Sequence, residues 1–576
     1  MKIQLFKEIN THSGYIVIPF LESYYKTRGE SVYKMLSNVV KLDVKYREMC
    51  DKIDIKMRDK LVNIATMTIS RTTRVSKASN TNDISDTSDT SDTRSIYSAG
   101  KSSKKDSRKI KKTKKNTSGN NSLGDLNQIY LVKINELNQN DGVNNLCEEL
   151  RVAGHLIYNL MKTNYVRNYN LIPLIGSHST EKERINCILE GIMLSSYKFD
   201  KYKTSKALDK KELSYQLENI YLIKKGIHSD KKIYELDRLN IIVKSVFLAR
   251  DLVNEPANDN RVARFMARVK EFIKTMKSPV ELEIWNKAQL EKMGMGLILG
   301  VGKGSQPENE PHMLVIKYNP SNMGSGSARD NNDKPEWVLL GKGITFDTGG
   351  LDLKKGKDML EMKSDLSGAA AVVSFLLGYA ASGGSQCIYV MCPFAENSIS
   401  SSAVKPSDVL TAYDGRTVEV VDTDAEGRLV LADALAYTVA NWPTAKIMDL
   451  ATLTGQAEDV SGKAFSCILS SNAERETMEL INKSNVINEA LVRLPLLEKE
   501  LSKLESNVAD IKNVSYKSSA DIILSSLFMK QFIKPQTKWI HIDIAGPSFN
   551  ANEVIKYASP EASGVGARLL FEYFSK

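Results

Sequence analysis

The chain has 576 residues, 42% of them hydrophobic and 26% charged, with a formal net charge of +10. That length holds two or more domains, and no run of 18 or more apolar residues offers a membrane-crossing segment. The positive balance is local: residues 101–115 carry nine Lys or Arg against one Asp, a charge of +8, which leaves +2 for the rest. This excludes reading the folded body as a broadly basic surface.

In chain order, residues 2–7 and 15–20 read as strands. From about 68 to 125 the composition turns to Ser, Thr, Asn, Asp and Lys, with Ser-Asp-Thr repeated at 85–93. Such a segment buries too little apolar area to offset its ordering entropy, which predicts a disordered insert. A strand at 129–134, amphipathic helices at 145–164 and 179–195, and a short strand at 221–224 follow. The alternation predicts a small α/β domain over 1–230, interrupted by the insert rather than ended by it. Residues 234–252 read as a linking helix. From 253 to 576 strands are expected at 281–284, 312–317, 336–341, 387–393, 446–450 and 538–543. Helices are expected at 259–276, 287–293, 366–382, 428–441 and 474–482. This is the pattern of an α/β layered domain with a central sheet and a site along strand ends.

The six cysteines (50, 147, 187, 387, 392 and 467) include no Cys-x-x-Cys pair, and the N-terminus MKIQLFKEINTHSG has no apolar signal core. Free thiols in a reducing, cytoplasmic interior are expected.

The chemistry is concentrated in a few acids. Residues 422–429 read DTDAEGRL, with Asp424 and Glu426 two apart, Gly427 to permit a tight turn, and Arg428 as a fixed cation. A helical run follows, so these acids sit at a turn into a helix. Negative charge concentrated there is costly unless a cation binds. Lys342, Asp347 and Lys354 lie in the Gly-rich segment 337–354, and Asp365 follows eleven residues later. Oxygen-rich clusters of this kind suit hard or borderline divalent metals. None of the six histidines falls in these motifs, and neither His-Glu-x-x-His nor Gly-x-Ser-x-Gly occurs. His541, alternating with Ile540 and Ile542, reads as structural.

Taken together, these motifs resemble the leucyl aminopeptidase family, peptidase family M17. The family signature NTDAEGRL is matched at seven of eight positions by 422–429. GKGITFDTGG at 341–350, Met362–Ala370, ATLTG at 451–455 and WIHIDIAG at 539–546 also match. The resemblance covers roughly residues 245–576. It implies a dimetal aminopeptidase with Asp347 and Glu426 bridging two ions, Lys342 and Asp365 completing the tighter site, and Asp424 the more exchangeable one. Zn or Mn is implied first, with Mg or Co as alternatives, and a hydroxide held between the ions. Lys354 is implied to hold the oxyanion, and Arg428 to anchor a bicarbonate that acts as general base. Met362, Thr452, Gly455 and Ala545 are implied to line an apolar pocket for the first side chain of a peptide substrate. The family also implies a macro-like N-terminal domain and a homo-hexamer. Asp422 departs from the family's Asn and adds a carboxylate that either joins the cluster or points away from it. The competing reading is a protein that binds nucleic acid non-specifically through 101–115. A vestigial scaffold is disfavoured by the complete ligand and catalytic set.

Overall fold

A computed structural model describes residues 2–6, 15–21, 64–68, 128–134, 146–171, 173, 181–204, 215–223, 235–259, 262–323, 334–517 and 520–575. The expected insert, its basic run at 101–115 included, therefore lies almost wholly outside the described residues. The fold class is mixed α/β, as expected, with two major sheets.

The first sheet has six strands, in the order β1-β6-β5-β2-β4-β3. They are β1 (Lys2–Phe6), β2 (Tyr15–Leu21), β3 (Ile64–Thr68), β4 (Gln128–Ile134), β5 (Asn168–Leu171) and β6 (Asn219–Ile223). All neighbours are parallel except β3 and β4. Thr68 and Gln128 are registered partners in that antiparallel pair, so the chain between them leaves and re-enters at one point. Two helices, α1 (Leu146–Thr163) and α2 (Glu181–Ser195), form the parallel crossovers. The helix α3 (Leu236–Asn254) then joins the two sheets.

The second sheet has nine strands, β7 (Glu281–Trp285), β8 (His312–Tyr318), β9 (Trp337–Gly341), β10 (Gly343–Asp347), β11 (Ile388–Asn397), β14 (Lys446–Ala451), β15 (Ser466–Ser471), β16 (Leu491–Arg493) and β18 (Trp539–Asp543). Its order is β16-β15-β18-β14-β9-β11-β8-β7, with β10 pairing β11. A central parallel block, β18-β14-β9-β11, is flanked by antiparallel strands. Strands β12 (Val409–Thr411), β13 (Thr417–Glu419) and β17 (Ile511–Lys512) make a small third sheet. The remaining α-helices are α4 (Val262–Met276), α5 (Lys287–Met293), α6 (Gly296–Val301), α7 (Gly356–Met359), α8 (Ser367–Ala381), α9 (Glu426–Asn441), α10 (Gly455–Ser461), α11 (Glu474–Ile487), α12 (Asp521–Lys530), α13 (Ala545–Ser548) and α14 (Ala567–Phe574).

The central strands are buried along their length, as strands covered on both faces must be. α8 packs into one side and α9 into the other, each buried nearly all round. The helical stretch from Met362 to Ala381 has the length and hydropathy of a membrane-crossing segment, yet 94% of its apolar 18-residue window is buried inside the fold. Its apolarity is that of a core helix. β10, β15, α6, α12 and α14 were not legible in the sequence. β10 is cut from β9 by the single residue Lys342, in a Gly-rich stretch that reads as a loop.

Candidate metal centre and active site

The site forms where the parallel strands end. Gly341 closes β9 because no side chain fits there; a Cβ would lie 2.6 Å from the Cα of Ala369. The next residue, Lys342, is pinned by its backbone to both flanking elements. Its N–H donates to Leu450 O (3.1 Å) and its carbonyl accepts from Ala369 N (2.9 Å). The side chain is thereby aimed into the cluster. Lys342 Nζ lies 2.8 Å from Asp365 Oδ1, 2.8 Å from Glu426 Oε1 and 2.9 Å from Thr452 O. Gly427 makes room for it, since a Cβ there would come within 2.6 Å of that nitrogen.

Asp347 is the last residue of β10. Its Oδ1 accepts from Gly349 N (2.9 Å) and Asn397 Nδ2 (2.8 Å), and Asn397 also donates to Thr423 O (3.0 Å). Gly349 and Gly350, at φ 85° and 68°, turn the chain in the left-handed region. A Cβ at Gly349 would sit 2.9 Å from Asp424 Oδ1. The loop returns through Asp352, whose Oδ2 accepts from Thr423 N (2.8 Å). This brings Lys354 over the acids: its Nζ is 2.9 Å from Asp347 Oδ2 and 2.5 Å from Asp424 Oδ1.

Asp424 precedes α9 and Glu426 opens it. They lie in a turn and at a first helical residue, as the sequence predicts, and their carboxylates converge. Ligand atoms of Asp347, Asp424 and Glu426 all lie within 4.8 Å of one another. Asp422 settles its departure from the family by pointing elsewhere. Its Oδ1 accepts from Asp424 N (2.8 Å) and its Oδ2 from Tyr516 OH (3.1 Å). The carbonyl of an Asn could take the first of these bonds equally well.

Burial and charge together perturb the clustered acids and lysines. Burial pushes the Asp347 and Asp365 carboxyls up, and neighbouring Glu426 adds to both. Burial, then Asp347 and Glu426, raises Asp424 to about 7. Glu426 moves down: burial opposes, but Lys342 and Lys354 win. Burial alone would depress both lysines, yet the acids outweigh it and hold both ammonium groups above their ordinary range. The two ammonium groups thus stand where the carboxylates need positive charge. Asp365 Oδ2 and Glu426 Oε2 remain buried with no hydrogen-bond partner. Orphaned buried oxygens of this kind demand a ligand, and three converging carboxylates plus a lysine nitrogen suit a borderline divalent ion. The residues fit a metal centre.

The other expected residues fall into three groups. Arg428, 2% exposed, turns its guanidinium to Asp521 (2.8 and 2.9 Å) and Asn513 O (2.9 Å), leaving Nε without a partner. Thr452 belongs to the cluster, its hydroxyl donating to Asp365 Oδ1 at 2.8 Å. Gly455 and Ala545 open α10 and α13, which pack together, and Met362 starts the 3₁₀ turn that leads into Asp365.

Several contributors escaped the sequence reading. Asn397 orients Asp347, and Asp352 ties the Lys354 loop to the Asp424 turn. Asp543, fully buried, accepts from Leu453 N, Thr454 N, Thr454 Oγ1 and Ala545 N at 2.9–3.1 Å. Only its place inside WIHIDIAG could have flagged it. His541 is buried against Asp449 (Nδ1 to Oδ1, 2.5 Å), in keeping with a structural role.

With this geometry in view, similarity to known proteins is informative. Residues 247–571 match the family described as "Cytosol aminopeptidase family, catalytic domain". A "Probable cytosol aminopeptidase" of Rickettsia canadensis (strain McKiel) is 33% identical over 401 residues, 69% of this chain and 76% of that one. Its counterpart in Phytoplasma australiense is 36% identical over 382 residues, 66% of this chain and 72% of that one. Among solved structures, "Bottromycin maturation enzyme BotP in complex with Mn" superposes with a TM-score of 0.67 at 28% identity, covering 79% of this chain and 91% of that one. Both the length of the match and the identity place the acid-lysine cluster in a peptidase framework, and the chain belongs to the cytosol aminopeptidase family, the M17 metal-dependent aminopeptidases.

Proposed function

We propose that the chain is a leucyl-type aminopeptidase that releases N-terminal, preferably apolar, amino acids from peptides with the help of two divalent ions. The convergence of Asp347, Asp424 and Glu426 around Lys342 and Lys354 carries the reading. In it, Asp347 and Glu426 would be shared by the two ions, Lys342 and Asp365 would help hold one, and Asp424 would help hold the other. Zn or Mn is the expected occupant, and the Mn complex of the solved relative supports a divalent ion. Bound there, the ions supply Lewis acidity and a nucleophilic water.

The side chains do the rest. Lys342 ligates only as a neutral amine, so its ammonium proton must leave when the centre is loaded. Lys354, 15% exposed at the rim, donates to the scissile carbonyl oxygen as negative charge grows there. Arg428 Nε is the atom left to hold a bicarbonate base. Met362, Thr452, Gly455 and Ala545 receive the first side chain, and a Cβ at Gly455 would meet open space.

The test is an amino-acid amide panel, run on chelated protein and again after Mn or Zn is restored. Activity should vanish and return, with Leu and Met amides above charged ones. Full turnover in metal-free protein would reject the reading. The expected setting is the cytoplasm and the expected assembly a homo-hexamer, which light scattering on active fractions checks.

A further inference from the structure

Two thiols lie beside the first sheet, Cys147 at the start of α1 and Cys187 midway along α2. Because the strands these helices connect are all parallel, the helices run parallel to each other. They contact once per turn, between residues forty apart. His155 Nδ1 lies 3.0 Å from Ser195 Oγ. One turn earlier the backbones touch, since a Cβ at Gly191 would fall 2.0 Å from Arg151 O. One turn earlier still, Cys147 and Cys187 share a side-chain hydrogen bond. The register of two helices in backbone contact fixes that meeting.

The pair is also reachable. A cavity of about 390 Å³ is lined by both cysteines together with Arg151, Glu190 and Arg568. Cys147 is partly exposed and Cys187 buried behind it. The hydrogen bond from Cys187 holds the Cys147 thiol down at about 7; burial opposes this and the Arg151 guanidinium assists. The same hydrogen bond and burial push Cys187 well up. Cys147, the more exposed of the two and the one with the Arg151 guanidinium lowering it, is placed to attack, and Cys187, buried behind it, to resolve.

We propose that Cys147 and Cys187 are a redox-active dithiol that a peroxide closes to a reversible disulfide. The Cys147 thiolate attacks one peroxide oxygen, the O–O bond breaks, and hydroxide leaves, giving a sulfenic acid at Cys147. The Cys187 sulfur then attacks the Cys147 sulfur, its proton and the sulfenic hydroxyl leaving as water. Overall two thiols lose two electrons and two protons, and hydrogen peroxide becomes two waters. The two sulfurs, brought to one level by the helix register, must close to about 2.05 Å. The bond would form one turn ahead of a buried ionic bridge. Arg151 Nε and Arg568 Nε both hold Glu190, at 2.6 and 2.8 Å, and so tie α1 and α2 to α14 of the second sheet's layer.

The test uses the reduced full-length chain, titrated with hydrogen peroxide and digested without reductant. A peptide linking Cys147 to Cys187 that disappears with dithiothreitol is expected. Cys187→Ser should instead leave a sulfenic acid at Cys147 that dimedone traps, and Cys147→Ser should leave Cys187 unmodified at the same dose. Both variants should hydrolyse leucyl amide at the wild-type rate, which certifies their fold. Links through other cysteines, a dimedone adduct at Cys147 in the wild type without the link, or no oxidation at either position would each overturn the proposal.

Discussion

Replacing Asp543 by Asn should cost both stability and turnover, although its side chain touches none of the five clustered metal-site residues and reaches the substrate pocket only through the backbone of Ala545. Its two oxygens accept four donors: Leu453 N and Ala545 N on Oδ1, Thr454 N and Thr454 Oγ1 on Oδ2. An Asn keeps one oxygen. Its best flip puts the amide nitrogen at the Oδ2 position, where the Thr454 hydroxyl can rotate to accept. Thr454 N–H is then orphaned in a buried place, and two bonds lose their charged acceptor. An unsatisfied buried donor costs roughly 1–3 kcal/mol, and the weaker bonds add to it, so about 2–4 kcal/mol of destabilisation is expected. The loop that slackens carries Thr452, which receives Lys342 Nζ and donates to Asp365. Turnover of leucyl amide should therefore fall about 10- to 100-fold, the equivalent of roughly 1.4–2.7 kcal/mol in the barrier. Urea unfolding and steady-state kinetics of the metal-loaded enzyme are the assays. An Asp543→Asn protein with the wild-type midpoint and kcat would refute the claim that this carboxylate holds the loop.

Lys354→Ala should lower kcat by about 10²- to 10³-fold, the usual loss for one oxyanion donor, while metal content by elemental analysis stays near that of the wild type; loss of both ions instead would reassign the lysine. Gly455→Val should fill the open space at the head of α10, and the ratio of kcat/KM for leucyl over alanyl amide should drop about 10-fold or more, because each methylene in such a pocket is worth about 1–3 kcal/mol. Stability should fall on acidification between pH 4.5 and about 2. Despite the burial that opposes it, Arg568 and Arg151 hold Glu190 at about 2, and a depressed acid stabilises above its unfolded value and loses that contribution as pH drops through the folded one. The size is on the order of 3 kcal/mol, and Glu190→Gln should remove it from the pH dependence of the urea midpoint.

The sequence revealed the catalytic half better than its scaffolding, for physical reasons. The clustered acids stand at or beside chain turns, so they come with glycines whose roles are local: Gly349 and Gly350 at positive φ, Gly427 beneath Lys342. Those constraints leave a readable pattern within a few residues. Apolar runs such as Trp337–Gly341 were likewise plain, because strands covered on both faces read as nearly continuous apolar runs. Supporting contacts left no such mark. Asn397 meets Asp347 across fifty residues and Asp543 meets Leu453 across ninety. In the sequence each is an ordinary polar residue beside a strand. β3 was hidden differently: Ile64–Thr68 abuts the low-complexity stretch, and its partner β4 lies sixty residues on.

The behaviour of Arg428 shows how far a shared motif carries a role. In the sequence it is one more cation beside the acids. In the fold its guanidinium is taken up in a buried pairing with Asp521. Two parallel hydrogen bonds to a carboxylate are strong and directional, so an anion that needs the same face of the guanidinium must compete with Asp521. An anion approaching Nε need not, because that donor is buried and unpaired. The side chain of Asp521 is 35% exposed, so water can take over its charge if it swings out. A base anchored at Arg428 therefore has two routes to its seat. They differ in one respect: only displacement of Asp521 makes the site tighter when that carboxylate is removed.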